Sequence, residues 1–325
     1  MRVHLSKPIG LGVLLLSALL LVSVPANAAV YLLCAKPGTI NLPGLPNVPI
    51  WGFARGTVAA PCGGTATLPG PVLKAANGEI VIISLRNALN VPVSLMIPGE
   101  NVLPFPGTPF GGTPDSFSQL VPPGQLAVYM FIARTGTYIY ESGIDTARQV
   151  AMGLHGALRV GPPPGGLAYP GNANTLFNRE AVLVLSEIDP NLNANPLAFN
   201  MQGYAPTYWL INGEAYPDTT PIMAPASPPR LARRLLLRYV NASFNHHAMS
   251  LRGLHQLLIA REAFRLPTAI QVVSETIPAG TTADAIVVIP AGSAGRQYPL
   301  YNRNLRLTNG SDNAPGGMRT RVQVP

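Results

Sequence analysis

Residues 123–160 read PGQLAVYMFIARTGTYIYESGIDTARQVAMGLHGALRV. Two apolar runs, AVYMFIA and TYIY, are rich in β-branched and aromatic side chains and are bounded by Pro, Gly and Arg-Thr-Gly, the composition of paired strands joined by a tight connection. The stretch closes on GALRV after Met-Gly-Leu-His. Outside it the same reading gives strands at residues 79–85 (EIVIISL), 181–188 (AVLVLSEI), 208–211 (YWLI), 235–240 (LLLRYV) and 285–289 (AIVVI), each ended by turn residues. No segment sustains a helical period. Glycine and proline number 32 and 35 without a fixed repeat, which excludes collagen, and 11% charged against 47% hydrophobic residues excludes a disordered chain. The expected fold class is all-β, as Greek-key β-sandwich domains.

The order of features recurs. Val121-Pro-Pro-Gly, AVYMFIA, GTYIY and MGLHGALRV in the first half answer to Ile277-Pro-Ala-Gly, DAIVVIP, YPLY and GGMRTRV in the second. Duplication accounts for this. Residues 161–174 (GPPPGGLAYPGNAN) contain three consecutive prolines, which cannot join a sheet interior, and read as a linker. The expected organisation is a signal peptide over 1–28, a first domain over 29–160, the linker, and a second domain over 175–325.

The leader reading rests on Arg2 and Lys7, an apolar run over 9–24, and the small-residue site Ala26-Asn27-Ala28. The run is shorter than the roughly 20 residues of a spanning helix. No later segment has the character of a membrane span, so the expected location is the periplasm or the medium. Cys34 and Cys62 are the only cysteines. They read as one disulfide, with a copper thiolate the competing reading; no histidine stands near either in sequence. The net charge of +8 is scattered apart from Arg230, Arg233, Arg234 and Arg238, and no nucleic-acid motif accompanies it, so the bland reading is a solvated basic surface.

The sequence resembles the multicopper oxidase family. The resemblance is carried by Pro69-Gly70-Pro71 with Gly78-Glu79 and Leu85-Arg86-Asn87-Ala88-Leu89, by residues 123–160, and in the second half by Trp209-Leu-Ile-Asn-Gly213 and Leu237-Arg-Tyr-Val-Asn-Ala-Ser243. It implies two cupredoxin-like domains in tandem. It also implies copper held by imidazoles and a thiolate, the ligands that suit that metal. The family's paired His-x-His motifs use the strand period of two, which turns both imidazoles to one side.

Here the sequence departs from the family. Met96-Ile97-Pro98-Gly99 stands where the family has His-Trp-His-Gly, and Tyr140-Glu141-Ser142-Gly143 stands where it has Tyr-His-Ser-His. Met96, Pro98, Glu141 and Gly143 therefore occupy degenerate ligand positions. No His-Cys-His occurs. The remaining candidate metal ligands are His246, His247, Met249 and His255, with His247 and Met249 expected on one strand face and His246 on the other; His155 lies in the first domain's closing strand.

Glu187 and Asp189 read as a strand end followed by a turn rather than a carboxylate dyad. Asn241-Ala-Ser and Asn309-Gly-Ser are glycosylation acceptor patterns. The leading expectation is a copper-free or copper-poor relative that uses its scaffold to bind or assemble with a protein partner or with its own copies, and not with nucleic acid. The alternatives are a copper-binding oxidoreductase with a rearranged or partner-completed copper site, and copper handling by His246, His247, Met249 and Met96 without turnover.

Overall fold

A computed structural model describes residues 28–104, 117–226, 233–310 and 314–325. The leader up to residue 27 and Arg230 lie outside them. The first domain contains β1 (Ala28–Leu42), β2 (Leu45–Arg55), β3 (Leu73–Ala75), β4 (Ile80–Asn87), β5 (Leu103–Pro104), β6 (Leu126–Ile132), β7 (Gly136–Glu141), α1 (Thr146–Met152) and β8 (His155–Val160). The second contains β9 (Arg179–Ile188), α2 (Pro190–Ala194), β10 (Tyr208–Ile211), β11 (Glu214–Ala215), β12 (Ile222–Met223), β13 (Arg233–Asn241), β14 (His247–Leu251), β15 (Gln256–Arg261), β16 (Phe264–Val272), β17 (Ser274–Ile277), β18 (Thr282–Ile289), β19 (Gln297–Asn302), β20 (Thr308–Asn309), β21 (Ala314–Pro315) and β22 (Arg319–Gln323). Every strand expected from sequence is present. The two helices have 7 and 5 residues, too short to leave a periodic signal.

Each domain is a sandwich of two sheets. The first pairs β2-β1-β4-β6-β5 with β3-β8-β7; the second pairs β11-β10-β9-β13-β18-β15-β16 with β12-β22-β19-β14-β17. The duplication expected from sequence holds at the level of pairing. In each domain the first strand runs parallel to a later one, β1 with β4 and β9 with β13, and that strand is antiparallel to β6 or β18. In the other sheet β3 runs parallel to β8, and β12 to β22.

A buried asparagine ties the same corner in both domains. Asn87 donates its amide to the carbonyls of Val91 and Val121 and accepts from the Leu89 N–H. Asn241 donates to the carbonyls of Asn245, Ile277 and Pro278 and accepts from the Ser243 N–H. Both side chains are fully buried, and each strand end then bonds the turn whose glycine, Gly124 or Gly280, takes a positive φ. Asn241 is thus committed to the interior, and Asn309 is buried with its amide on the Tyr216 carbonyl. Neither acceptor pattern presents a free side chain for glycosylation.

The cores are separate but the domains interlock. Leu33, Trp51, Phe53, Ile83, Tyr129 and Leu158 belong to the first core, and Leu185, Trp209, Leu237, Met249, Ile277 and Leu300 to the second. Between them, Ile139 and Ala157 pack on Val184 and Val240. Arg238, fully buried, donates to Glu180 (2.9 Å), Asp284 (3.1 Å) and Thr137 (2.9 Å) across this seam, and Arg159 also donates to Glu180. A buried guanidinium needs such partners to offset its desolvation, and here Nη2 alone has none among the described residues. Arg233 and Arg234 donate to backbone carbonyls of Pro290 and Leu176. The arginines read from sequence as a solvated basic surface are therefore largely structural wherever the structure describes them. The 161–174 segment packs with Ala168 and Tyr169 buried, the Tyr169 hydroxyl on Asp284 at 2.6 Å.

Candidate metal centre

Strand pairing fixes the place where ligands are expected. Met96 and Glu141 form an isolated antiparallel bridge, exchanging N–H···O bonds of 2.8 and 3.0 Å. The resemblance would put imidazoles on the side chains of this pair. Met96 is half-buried and Glu141 is 8% exposed, with no hydrogen-bond partner on its carboxylate among the described residues. Burial alone pushes its pKa from 4.5 up to about 7. Pro98 is exposed and offers no ligand atom. At Gly143 a Cβ would stand 3.1 Å from Ser94 Oγ, 3.4 Å from Met96 Sδ and 3.4 Å from Phe117 Cβ, so neighbours already crowd the position a second imidazole would need. Beside these residues Met96, Pro98 and Phe117 line an open cleft of about 420 Å³.

Glu141 pairs directly with His155 across β7 and β8, so their side chains share the face turned towards the second domain. His155 is buried. Its Nδ1 bonds the Val150 carbonyl at 3.0 Å, and Nε2 is buried with no partner. Burial drives this imidazole down to about 4, against the pull of the Val150 carbonyl.

The four histidine and methionine candidates do not converge. His247 and Met249 share one face of β14, as the strand period predicts, but that face is the second core, where both are fully buried. The Asn302 amide donates to His247 Nδ1 at 2.6 Å, with its orientation fixed because its oxygen accepts from the Asn304 N–H. His247 Nε2 therefore carries the proton and donates to Ser243 Oγ at 2.9 Å. Burial first, then Arg306 and His246, hold this imidazole neutral at about 4. His246 faces solvent on the opposite side, accepting from the Ala279 N–H, and His255 is exposed ahead of β15. Alternation along β14 was legible in sequence; that both ring nitrogens of His247 are spent on Ser243 and Asn302 was not, because those partners arrive from other loops.

Among the described residues no three His, Cys, Asp or Glu side chains gather in one place. Cys34 and Cys62 are joined as a disulfide, which removes the thiolate reading. Glu187 accepts from the Phe244 N–H and Asn245 amide, and Asp189 caps α2 through Asn191, so they are not a dyad. Beside the Met96–Glu141 bridge, the copper implied by the family thus finds, among the described residues, the His155 imidazole with a free Nε2 and one carboxyl, protonated below about pH 7, in place of several imidazoles and a thiolate. The residues present do not fit it.

Two tandem sandwiches of this pairing define a two-domain cupredoxin-like protein. The multicopper oxidase family model matches residues 55–165. L-ascorbate oxidase of Cucumis sativus is 35% identical over 99 residues, which cover 30% of this chain and 16% of that enzyme. Blue copper oxidase from Nitrosomonas europaea has a TM-score of 0.74 at 20% identity, covering 91% of this chain and 85% of that one. The multicopper oxidase mgLAC has a TM-score of 0.75 at 20% identity, with coverage of 91% and 86%. The family match thus falls on the first domain, and the structural likeness covers the fold of both domains. The chain spans less than a fifth of the length of the ascorbate oxidase it matches. Among the described residues no helix is long and apolar enough to cross a membrane.

Proposed function

We propose that this chain is an exported multicopper-oxidase-like protein without intact copper centres, whose paired sandwiches serve binding or assembly. The observation that carries the reading is the Met96–Glu141 bridge, which sets a thioether and an unpaired carboxyl where the family places imidazoles. Two further observations support it: His247 has no free ring nitrogen, and Gly143 sits against Ser94 and Met96. The disulfide between Cys34 and Cys62 agrees with an oxidising compartment, as the leader pattern does. Fold does not fix activity, and a scaffold whose ligand positions have changed keeps its surfaces for partners. The test is elemental analysis with an absorption spectrum after copper loading. The expected result is sub-stoichiometric copper, no blue band and no oxidation of phenols or metal ions. Several tightly held coppers per chain, or turnover lost on His155→Ala, would overturn the reading.

A further inference from the structure

The two domains differ at one matching position between their sheets. In the first, Ala35 pairs with Asn87; in the second, Leu185 pairs with Asn241. Because Asn87 and Asn241 are equivalent latches, counting four residues back along β1 and β9 places Tyr31 and Ala181 at the same point. Tyr31 is buried, and its hydroxyl donates to the Lys74 carbonyl and accepts from the Lys74 N–H (2.8 Å) on β3, closing the gap between the sheets. The matching strand in the second domain is β12, where Ile222-Met223-Ala224 repeats the in-out-in burial of Leu73-Lys74-Ala75. Ala181 cannot reach it. The result is a cleft of about 470 Å³ whose walls include Ala181, Leu183, Ile222 and Met223.

The same cleft runs beside a free strand edge. β10 pairs with β9 only from Leu185 to Ile188. Beyond it the Asn212 side chain caps the Val184 N–H and the Val182 carbonyl, at 2.8 and 3.0 Å, and pairing stops. By strand alternation the Val182 N–H and the Glu180 N–H and carbonyl point the same way, with no partner among the described residues. Another extended backbone offers donors and acceptors at that spacing. Arg179, at the cleft mouth, is exposed and has no ionic partner among the described residues, whereas the two carboxylates of the same lining are engaged, Glu180 by Arg159 and Arg238 and Glu214 by Thr220.

We propose that this cleft is a docking site for an extended segment of a partner protein, which adds along residues 179–182 and inserts a tyrosine beside Ala181. The first domain shows the chemistry that fills such a gap: a phenol ring between the sheets with its hydroxyl on the main chain of the facing strand. Arg179 selects an acidic residue near that tyrosine. The proposal rests on the binding reading above and names its partner class.

The test selects random short peptides displayed on phage against the intact protein after its copper content has been measured. Recovered peptides are expected to share a tyrosine flanked by Asp or Glu. A fluorescein-labelled synthetic copy of the commonest peptide is expected to bind Ala181→Tyr roughly tenfold more weakly, because the variant fills its own cleft, and Arg179→Glu several-fold more weakly. Amide exchange at Glu180 and Val182 is expected to be fast in the free protein and slowed by the peptide. This measurement decides the matter if Ala181→Tyr misfolds. Peptides without an aromatic consensus, undiminished binding to a folded Ala181→Tyr, or no added protection at 180 and 182 would overturn the proposal. Stoichiometric copper with oxidase turnover would instead defeat the scaffold reading, so the two failures are distinct.

Discussion

In the first domain the strand that begins at residue 28 carries Tyr31 into the gap between its sheets and closes it. In the second, the strand that begins at residue 179 carries Ala181 to the matching place and leaves the gap open. The asparagine corners and parallel pairs recur in both, although the second domain's sheets carry more strands. What duplication preserved is the backbone-satisfying framework, where any loss exposes buried N–H and C=O groups. What differs is the side chain that reaches between the sheets, Tyr31 in one domain and Ala181 in the other.

The sharpest way to break this comparison is Tyr31→Ala. It opens in the first domain the cleft that the second already has, removing a buried ring and both bonds to Lys74. The expected cost is about 3–5 kcal/mol, read from denaturant unfolding followed by Trp51 fluorescence. Trp51 and Trp209 sit one in each core, so they report the two domains separately.

The shared asparagines come next. Asn87→Ala and Asn241→Ala each strand several buried backbone groups, and each is expected to cost about 2–4 kcal/mol in its own domain. Near-equal losses would confirm the latches as equivalent; a loss at one alone would break the internal alignment on which Tyr31 and Ala181 are matched.

Acidity acts more gently, through the buried histidines and carboxyls of both domains. His155 and His247 stay neutral down to about pH 4, while an unfolded chain protonates its histidines near 6.5, so each withdraws stability as pH falls from 6.5 to 4. Glu141 acts in the opposite sense. Folded, it keeps its proton up to about pH 7, so stability falls as pH rises from 4.5 to 7 and is level above. The second domain carries both kinds of group as well, because burial also raises Glu187 above the usual carboxylate range. Acid is therefore expected to act on both domains, with Trp51 and Trp209 transitions that fall close together. Glu141→Gln is expected to raise first-domain stability at pH 8 by up to about 3 kcal/mol and to leave it unchanged at pH 4. The smallest effect is expected for His255→Ala, an exposed side chain: less than about 0.5 kcal/mol, and no change in copper content.

The strands and their repeated order were legible in the linear sequence. β-branched runs between Gly, Pro and Asn announce strands whatever they pair with, and the repeated turn-strand-strand order announces a copied unit. The sandwich pairing follows because alternating apolar faces must be covered. Other features were settled only by residues brought together from distant segments. The arginines at 233, 234 and 238 look in sequence like a basic surface, but the fold turns Arg238 into the seam between domains because Glu180 and Asp284 arrive there from β9 and β18. His247 keeps the expected face of its strand, yet Ser243 and Asn302 decide that its nitrogens are spent. Tyr31 and Ala181, 150 positions apart in a chain of 325, become a filled and an open version of one gap only when the sheets are stacked. Local propensity is a property of neighbouring residues and survives in the sequence; hydrogen-bond partnership and empty space are properties of the packed chain.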